Sequence, residues 1–526
     1  MALGAVLLIA LALRLHGIHN PILDHPGWRQ GDTAAIARNF ARLRFDVMYP
    51  QTIYNGPPPN YVELELQIVP FLAASLYKLV GIHEIFGRLI SVTFSLATVI
   101  VLAYFGRWLF GNAPAGIGAA FFYAVFPGSV YYGRTFMPDC AMVFFLSLAL
   151  YATTRLLVQE RLSLRGLTGA TASLAVAYLA KPVAVLAVVP LCALLVERAA
   201  ARRPTPAPFA VVLVGVPLLV LAVYDARIAS YAEWHWAGGI ARLHVLPALG
   251  AAFGSWNAFF EKLIDFRVAL SMLRDTLLGK ISFLLVIAGF AALHWIPARS
   301  KALLWGWLGG GLLYVYVVVT VERVDYYMLA LLSLAALVIG ALAARAFETA
   351  RGADVAPVAR IGLLTIPPLV GLAVLAASPA PVSRYYAYNK AAYRNAVALD
   401  RALPPSALVV IGHYGPDVQY YVDRFGWEED PSLWTPFDEE SAIAKGARYF
   451  VSIEDNRLRR NIELCAWLQR FPAVAVGSWP VYRTDPQLVS PQAQRFWSGF
   501  RRAERAGTGR AFLDARNLCR ISPKRS

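Results

Sequence analysis

Long apolar runs, separated by short polar stretches, fill the chain from residue 1 to about residue 378. A helix needs about 20 mostly apolar residues to cross a bilayer core of roughly 30 Å, so these runs predict membrane-spanning helices. The pattern predicts about eleven spans, and the fifth and sixth are short and meet at Lys181-Pro182. They lie at about residues 2–19, 87–106, 113–131, 138–158, 166–180, 182–197, 208–224, 280–296, 302–320, 326–345 and 358–378.

A polar insert lies between the first two predicted spans, at about residues 20–86. It contains the stretches HPGWRQGDT, YNGPPPNY and ELE, which are rich in Arg, Pro and carboxylates. An insert of this composition directly after the first span is where chemistry on the far side of the membrane would lie. The insert is therefore the first place to look for chemistry.

The pattern changes after residue 378. Three short apolar runs, ALVVIG, RYFVSI and AVAVGSW, alternate with stretches of helical periodicity such as PDVQYYVDR and NIELCAWLQRF. This alternation predicts a small α/β domain with a partly parallel sheet. The chain is thus expected to consist of a polytopic α-helical membrane domain at 1–378 and a soluble domain at 379–526.

Composition supports the membrane assignment, because 58% of the residues are hydrophobic, only 16% are charged and the mean hydropathy is +0.51. The loops at about 107–112, 155–165, 197–207, 297–301 and 345–360 together carry twelve Lys or Arg residues and four acidic ones. By the positive-inside rule these loops are cytoplasmic, and the insert and the C-terminal domain are external. The formal net charge of +16 is explained largely by this bias and by contact with anionic membrane lipids; no nucleic-acid motif is present.

The insert begins with a predicted helix along the outer membrane face. Asp32 is placed as its N-cap, and its N-terminus favours an anionic group nearby. The apolar stripe of this helix comprises Ile36 and Phe40 together with Leu43, and its basic stripe comprises Arg38 and Arg42.

Carboxylates and arginines converge on the predicted external side. A carboxylate can accept the proton of an attacking hydroxyl, and cations or a metal stabilise a departing phosphate. Structural roles are open for each residue: Asp32 as a cap only, Glu63 and Glu65 as solvated side chains, and Arg134 as a partner of Asp139. The candidates are Asp24, Asp32, Glu63, Glu65 and Asp139, with Arg29, Arg88 and Arg134 nearby in sequence.

Three further motifs make the order of elements resemble a known family. GRLIS opens the second span, GRTFMPDC precedes the fourth, and DYYMLALL opens the tenth. Together with the acidic first loop and the Pro-Pro segment, they resemble the GT-C glycosyltransferases over about residues 1–345. Within these the chain is similar to family 39, which includes protein O-mannosyltransferases and the aminoarabinose transferase of bacterial lipid A.

The resemblance implies sugar transfer from a polyprenyl-phosphate donor to an acceptor on the external face, with inversion at the anomeric carbon. It also implies an Asp general base in the first loop. The common Asp-Glu pair of the family is missing here, so either Asp24 or Asp32 must take that role. Lipid, glycan and protein acceptors all stay open, and the implied location is a bacterial inner membrane with a periplasmic active site.

The donor phosphate is expected to meet Arg29, Arg88 and Arg134. Relatives place a Lys before Pro-Pro where this chain has Asn55 and Gly56, so Lys181 or Arg323 could supply that contact instead. The remaining residues predicted to line the substrate site are Trp28, Gln30, Tyr61, Trp234, His235, Tyr326 and Tyr327.

Three matters stay open at this stage. A divalent metal such as Mg²⁺ or Mn²⁺, held by Asp32, Asp139 or Glu65, is known from some GT-C enzymes, whereas monophosphate donors often need none. The aromatic loop at about 225–279 fits either a lid over the substrate or an aromatic belt. Cys465 and Cys519 both fall in the external domain, where a disulfide is one alternative.

Two other classes remain alternatives to a glycosyltransferase. A transporter or flippase would also have many spans, but it tends to carry charges within them and to show repeated halves, which this chain does not. A membrane-anchored scaffold that presents the C-terminal domain would leave the charged insert unexplained.

Overall fold

The structure, a computed structural model, describes residues 1–203, 205–352 and 355–507. The chain forms two compact units. The first, here called the helical unit, comprises Met1–His19 and Glu63–Tyr386. The second, here called the mixed unit, joins residues Asn20–Val62 of the insert to the chain from Ala387 onward. Cys519 lies outside the described residues, and so does its proposed pairing with Cys465.

The helical unit is built from α-helices joined by short loops and a few 3₁₀ or π turns. Two-residue strands lie at Val62–Glu63 and Trp234–His235. The α-helices are Ala2–Leu15, Ile68–Val80, Ile85–Phe110, Ala113–Val125, Pro127–Tyr132, Asp139–Val158, Leu164–Ala180, Val188–Ala200, Ala207–Ala229, Ala237–Gly239, Leu246–Ala252, Trp256–Met272, Lys280–Ala292, Lys301–Tyr314, Thr320–Glu322, Ala330–Ala350 and Pro357–Ala377. The 3₁₀ segments are Pro182–Ala187, Asp325–Met328 and Ala380–Tyr386, and the π segments are Ile240–Val245, Leu273–Leu278 and Val315–Val319.

Helices coincide with all eleven predicted spans. Within the described residues, seven helices are long and apolar enough to cross a membrane, or eight if the bent pair Trp256–Leu278 and Lys280–Ala292 counts as one span. The first and third predicted spans are shorter apolar helices, Ala2–Leu15 and Ala113–Val125. The polytopic α-helical class is confirmed, and the count of eleven stays a prediction.

Two of the longer helices of this unit, Ile68–Val80 and Trp256–Met272, were not predicted. Ile68–Val80 is an apolar helix inside the stretch assigned to the insert, and its 13 residues are too few for a span. Trp256–Met272 lies in the aromatic loop and leads, through a π turn and a 109° bend, into Lys280–Ala292. Both segments were missed because they lack a run of about 20 apolar residues.

The most buried of the long apolar helices is Ala330–Ala350, which packs against Ala113–Val125. A Cβ atom at Gly340 would lie 2.4 Å from the backbone nitrogen of Ala119. Small residues therefore let these two backbones approach closely, as is usual between membrane helices.

The mixed unit contains a five-stranded sheet flanked by helices. Its central strand Leu408–Gly412 pairs in parallel with Gly426–Glu428 on one side and with Ala447–Ser452 on the other. Trp479–Arg483 is antiparallel to Ala447–Ser452 and to the outer strand Ala473–Val476. The helices are Gly27–Arg42, Lys390–Ala402, Pro416–Val422, Pro436–Ala444, Asp455–Leu458, Ile462–Leu468 and Pro491–Arg505, with a 3₁₀ turn at Pro486–Leu488.

The predicted α/β class of the C-terminal part and its partly parallel sheet are confirmed. The first two predicted strands appear within one residue of their expected bounds. The third run, 473–479, turns out to be the outer strand plus the start of the hairpin strand Trp479–Arg483. The short strand Gly426–Glu428 was missed, since three residues carry too little periodicity.

The insert helix Gly27–Arg42 differs from its prediction in two ways. It begins six residues earlier than expected, with Pro26 as its N-cap, so Asp32 lies in its second turn and the N-cap assignment was wrong. Its residues from Arg29 to Phe40 are all buried, including the basic Arg38, so it lacks the solvated face of an amphipathic surface helix. The stripe pattern predicted a polar face because it gave no sign of the buried partners of the arginines.

Candidate functional site

Asp32 is the carboxylate of the insert helix, and both of its oxygens accept hydrogen bonds. Its Oδ2 accepts a hydrogen bond of 2.9 Å from Arg29, one helical turn earlier, in a buried ion pair. Its Oδ1 accepts a hydrogen bond of 3.0 Å from the Tyr54 hydroxyl. Burial raises the pKa of Tyr54 well above its ordinary value of 10.0, so this hydroxyl stays protonated as a donor.

Asp24, the second candidate base, is fully buried just before the same helix. Its Oδ1 accepts a 2.7 Å hydrogen bond from the side chain of Gln30, which also donates to the Asp24 carbonyl at 3.0 Å. Asn20 donates to Oδ2 at 3.3 Å. The predicted site residues Gln30 and Asp24 are thus brought into contact, and Trp28 lies 6.5 Å from the ring of Tyr54.

The C-terminal part of the mixed unit fixes the Tyr54 loop. The Gly56 amide donates to the Gly426 carbonyl at 2.7 Å, and Gly426 donates back to the Ile53 carbonyl at 3.1 Å. The buried Gln419 also donates to the Ile53 carbonyl, at 2.9 Å. The loop residue Asn55, with φ of +74°, sits in the left-handed region that Asn tolerates better than most residues. This anchoring holds Tyr54 in place against Asp32.

A polar cluster of the mixed unit lies beside this loop. Burial raises the pKa of Glu428 to about 8, although the Gly415 amide donates to its Oε2 at 2.7 Å. Burial lowers the pKa of His413, but the carboxylates of Asp417 and Glu454, each 3.4 Å from its ring, outweigh that effect and raise it overall. The charge of this cluster therefore changes near neutral pH.

In the helical unit, Asp139 and Lys181 form a buried ion pair. The Lys181 ammonium lies 2.7 Å from Asp139 Oδ1 and 4.8 Å from the ring centres of Tyr326 and Tyr327. Lys181 ends the helix Leu164–Ala180, and the following proline stops that helix at this point. Four predicted site residues thus meet at one position.

Asp325 is a buried carboxylate that the sequence analysis did not select. It accepts hydrogen bonds from the hydroxyls of Tyr132, at 2.6 Å, and Tyr385, at 2.8 Å. The Tyr132 ring in turn lies 5.9 Å from that of Tyr326. The DYYMLALL motif begins with Asp325, but only its two tyrosines, Tyr326 and Tyr327, were selected as candidate site residues.

The predicted phosphate-side arginines Arg88 and Arg134 are both fully buried in the helical unit. Both donate to the carbonyl of Gly17, at 3.3 and 3.0 Å, which places their guanidinium groups side by side. Arg134 also lies over the rings of Tyr131 and Tyr386. Two of the predicted phosphate-side guanidinium groups thus meet at one carbonyl.

Glu63 and Glu65 are buried, so the alternative that they only face water is wrong. Both oxygens of Glu63 lie 3.0 Å from the Gly238 amide nitrogen, which donates to them. Burial raises the pKa of Glu63 to about 7 in spite of this hydrogen bond. The neighbouring Leu66 donates to the carbonyl of Leu179, which brings the ELE segment to the helix end that carries Lys181.

Other predicted residues lie at the surface or elsewhere. Arg323 is 68% exposed and pairs with Asp265 at 3.1 Å, so it is a surface ion pair in this structure. Trp234 and His235 are exposed in their short strand. Tyr61 belongs to the mixed unit and packs on Tyr49 at 5.4 Å.

The structure tests the fit of a divalent metal. Such an ion takes several oxygen ligands. Asp139 already forms an ion pair with the Lys181 ammonium, and Asp32 forms one with the Arg29 guanidinium. Among residues 1–203, 205–352 and 355–507, no group of three or more His, Cys, Asp or Glu side chains is placed to hold a metal. The donor set at these carboxylates does not fit a resident metal ion.

Comparisons with known proteins agree with this architecture. The family described as dolichyl-phosphate-mannose-protein mannosyltransferase matches residues 67–224. No curated protein matches the chain. The resemblance to GT-C glycosyltransferases inferred from the motifs is thereby supported over the second to seventh predicted spans.

Two solved structures share the fold. The archaeal oligosaccharyltransferase AglB from Archaeoglobus fulgidus, in complex with an inhibitory peptide and a dolichol-phosphate, is 11% identical with a TM-score of 0.58. The structural match covers 93% of this chain and 74% of the AglB chain. ArnT from Cupriavidus metallidurans, bound to undecaprenyl phosphate, is 14% identical with a TM-score of 0.58, covering 94% of this chain and 100% of ArnT.

The chain is therefore a multi-pass membrane protein with the fold of the GT-C glycosyltransferases. Its resemblance to that group is confirmed by the family match and by the shared fold.

Proposed function

We propose that this protein is an inverting glycosyltransferase that moves a sugar from a polyprenyl-phosphate donor to an acceptor hydroxyl on the external membrane face. The observation that carries the proposal is a pair of buried carboxylates in the insert of a protein of GT-C fold: Asp32 on the insert helix and Asp24 just before it. Undecaprenyl phosphate bound to ArnT and dolichol-phosphate bound to AglB support a polyprenyl-phosphate donor.

The chemistry requires one proton acceptor and one stabilised leaving group. The acceptor oxygen attacks the anomeric carbon, and the bond from that carbon to the phosphate oxygen breaks, leaving its electron pair on the phosphate. The proton of the acceptor hydroxyl passes to the carboxylate of Asp24 or Asp32. Arg88 and Arg134 stabilise the growing charge on the phosphate, a contribution that is often the largest in such reactions.

The two candidate bases differ in their surroundings. Asp32 accepts hydrogen bonds from Arg29 and from the Tyr54 hydroxyl, which fix its position. Asp24 accepts hydrogen bonds from the side-chain amides of Gln30 and Asn20. Both arrangements orient the carboxylate, so both residues remain candidates for the base.

The acceptor and the location follow from the same proposal. A lipid, a glycan or a protein hydroxyl would satisfy the chemistry. The resemblance to the bacterial members of the group implies a bacterial inner membrane. The charge bias of the short loops supports a periplasmic location of the insert and of residues 379–526.

The test is sugar transfer or hydrolysis by purified protein in lipid, with a panel of radiolabelled polyprenyl-phosphate sugars. The variants are Asp24→Asn and Asp32→Asn, and the matched control is Asp46→Asn, an exposed carboxylate of the same insert. Loss of the base is expected to lower the rate by about 10²- to 10⁴-fold in one variant while donor binding is retained. Wild-type protein that neither binds nor turns over any member of the panel would refute the proposal.

A further inference from the structure

Within the described residues, one of the two carboxylate oxygens of Asp139 has a hydrogen-bond donor and the other has none. Its Oδ1 receives the Lys181 ammonium, whereas Oδ2 is buried and accepts no hydrogen bond within the described chain. A buried charged oxygen without a donor is costly, by about 1–3 kcal/mol or more. We therefore expect Asp139 Oδ2 to accept a hydrogen bond from a bound substrate.

The Lys181 ammonium also has hydrogen-bond donors without an acceptor within the described residues. An ammonium group has three donors, and within the described residues its one hydrogen bond goes to Asp139. The rings of Tyr326 and Tyr327, both 4.8 Å from the nitrogen, hold the charge in place without using those donors. Two N–H groups thus remain for an anionic ligand.

We propose that Asp139 and Lys181 together form the donor subsite, in which the fixed ammonium takes the place of a divalent ion. Lys181 donates to an oxygen of the donor phosphate, and Asp139 Oδ2 accepts a hydrogen bond from a hydroxyl of the donor sugar. The pair carries no net charge of its own, so the phosphate meets a cation whose desolvation cost is already offset by Asp139. This inference rests on the proposed function, because it names the donor contacts of the same reaction.

Binding of undecaprenyl phosphate, measured at equilibrium on purified protein in lipid nanodiscs, tests the Lys181 contact without requiring turnover. Lys181→Met is expected to weaken binding about tenfold or more, since a hydrogen bond to a charged group contributes about 1.5–3 kcal/mol. Lys181→Arg should recover part of the loss. The matched control is Lys262→Met, which removes another buried lysine, one that lies under the Tyr316 ring and is bonded to Thr320.

The Asp139 contact is tested by comparing a sugar-bearing donor with the bare lipid phosphate. Lys181 keeps the carbonyl oxygen of an Asn at position 139 turned toward itself, so Asp139→Asn replaces the free acceptor by an amide donor. The preference for the sugar-bearing lipid is expected to fall about tenfold. Unchanged preference, or phosphate binding in Lys181→Met equal to that of Lys262→Met, would overturn the inference.

Metal dependence is the third measurement. Wild-type transfer is expected to change by less than about twofold on treatment with a chelator. Activity that disappears with the chelator and returns with Mn²⁺ or Mg²⁺ would show that a metal, not Lys181, is the cation, and would leave the proposed glycosyltransferase activity intact. Wild-type protein that binds the lipid phosphate through Lys181 but transfers no sugar would refute the proposed function and not the subsite.

Discussion

Gly31 lies against Asp417 so closely that a Cβ atom on the glycine would be 2.5 Å from the Asp417 Cα. Gly27, four residues earlier, faces the side chain of the same aspartate. The two glycines form one face of the insert helix and let it pack on the helix Pro416–Val422 of the C-terminal sequence. The residue that follows Gly31 is Asp32, so the C-terminal sequence supports the candidate base directly.

Gly31→Ala is expected to destabilise the mixed unit by about 1–3 kcal/mol, because the added methyl group meets backbone that cannot give way. Sugar transfer should fall with it, since Asp32 moves with the helix. The measurement is the melting temperature together with the transfer rate. Gly499→Ala, in a helix of the same unit with open space around it, should be neutral or slightly stabilising; equal behaviour of the two variants would argue against the close packing.

Two arginines of the insert helix share Asp423 but differ in burial. Arg38 is buried, 2.9 Å from Asp423 Oδ1 and 2.8 Å from the Tyr420 carbonyl, whereas Arg42 is half exposed. Arg38→Ala is expected to lower the free energy of unfolding by about 1.5–3 kcal/mol, because hydrogen bonds of a buried guanidinium to a carboxylate and a carbonyl are lost. Arg42→Ala should cost at most about 1 kcal/mol. Thermal unfolding of the two variants compares them, and a larger loss for Arg42 would contradict the burial.

Tyr54→Phe removes one hydrogen bond to Asp32 and keeps the ring. A carboxylate that loses a donor binds its proton more tightly, so the acid limb of the pH–rate profile should move to higher pH if Asp32 is the base. Stability should fall by about 1.5–3 kcal/mol. Tyr49→Phe, on a tyrosine of the same insert, is the control. An unmoved acid limb would assign the role to Asp24.

Glu428 makes the stability of the mixed unit depend on pH. Its pKa of about 8 in the folded protein lies above the ordinary 4.5, so between these values unfolding releases a proton. Stability is therefore expected to fall as pH rises through this window, by up to about 1.4 kcal/mol per unit. Glu428→Gln cannot ionise and should show a weaker dependence, because the buried Glu439, whose pKa burial also raises to about 8, still contributes. Glu440→Gln, at a largely exposed position, should keep the full dependence. Melting curves across the window measure the effect, and parallel pH profiles for wild type and Glu428→Gln would contradict it.

The sequence was sufficient for the membrane class and for most helices, because a run of apolar residues is a local property. It also predicted the partly parallel sheet from its three apolar runs. It did not reveal that the insert folds with the C-terminal sequence. Gly27 and Gly31 were not selected from the sequence, because their role depends on the approach of Asp417, which is a tertiary contact.

The candidate site was predicted in part, for the same reason. Asp139, Lys181, Tyr326 and Tyr327 were each selected, yet their meeting at one point depends on contacts over about 140 residues of chain. Asp325 was missed because its burial between two tyrosines is a tertiary property. Arg323 was selected from its motif, but an ion pair with Asp265 keeps it at the surface.

The central claim is sugar transfer rather than transport, and sealed proteoliposomes test it most directly. Polyprenyl phosphate labelled in its sugar is placed in the outer leaflet with the acceptor on the same side, and covalent transfer and passage to the inner leaflet are followed separately. We expect labelled product to appear while no label crosses the membrane. Product formation should be lost in one of the two variants, Asp24→Asn or Asp32→Asn. Label that reaches the inner leaflet with its lipid bond intact and yields no product would contradict the account and identify a flippase.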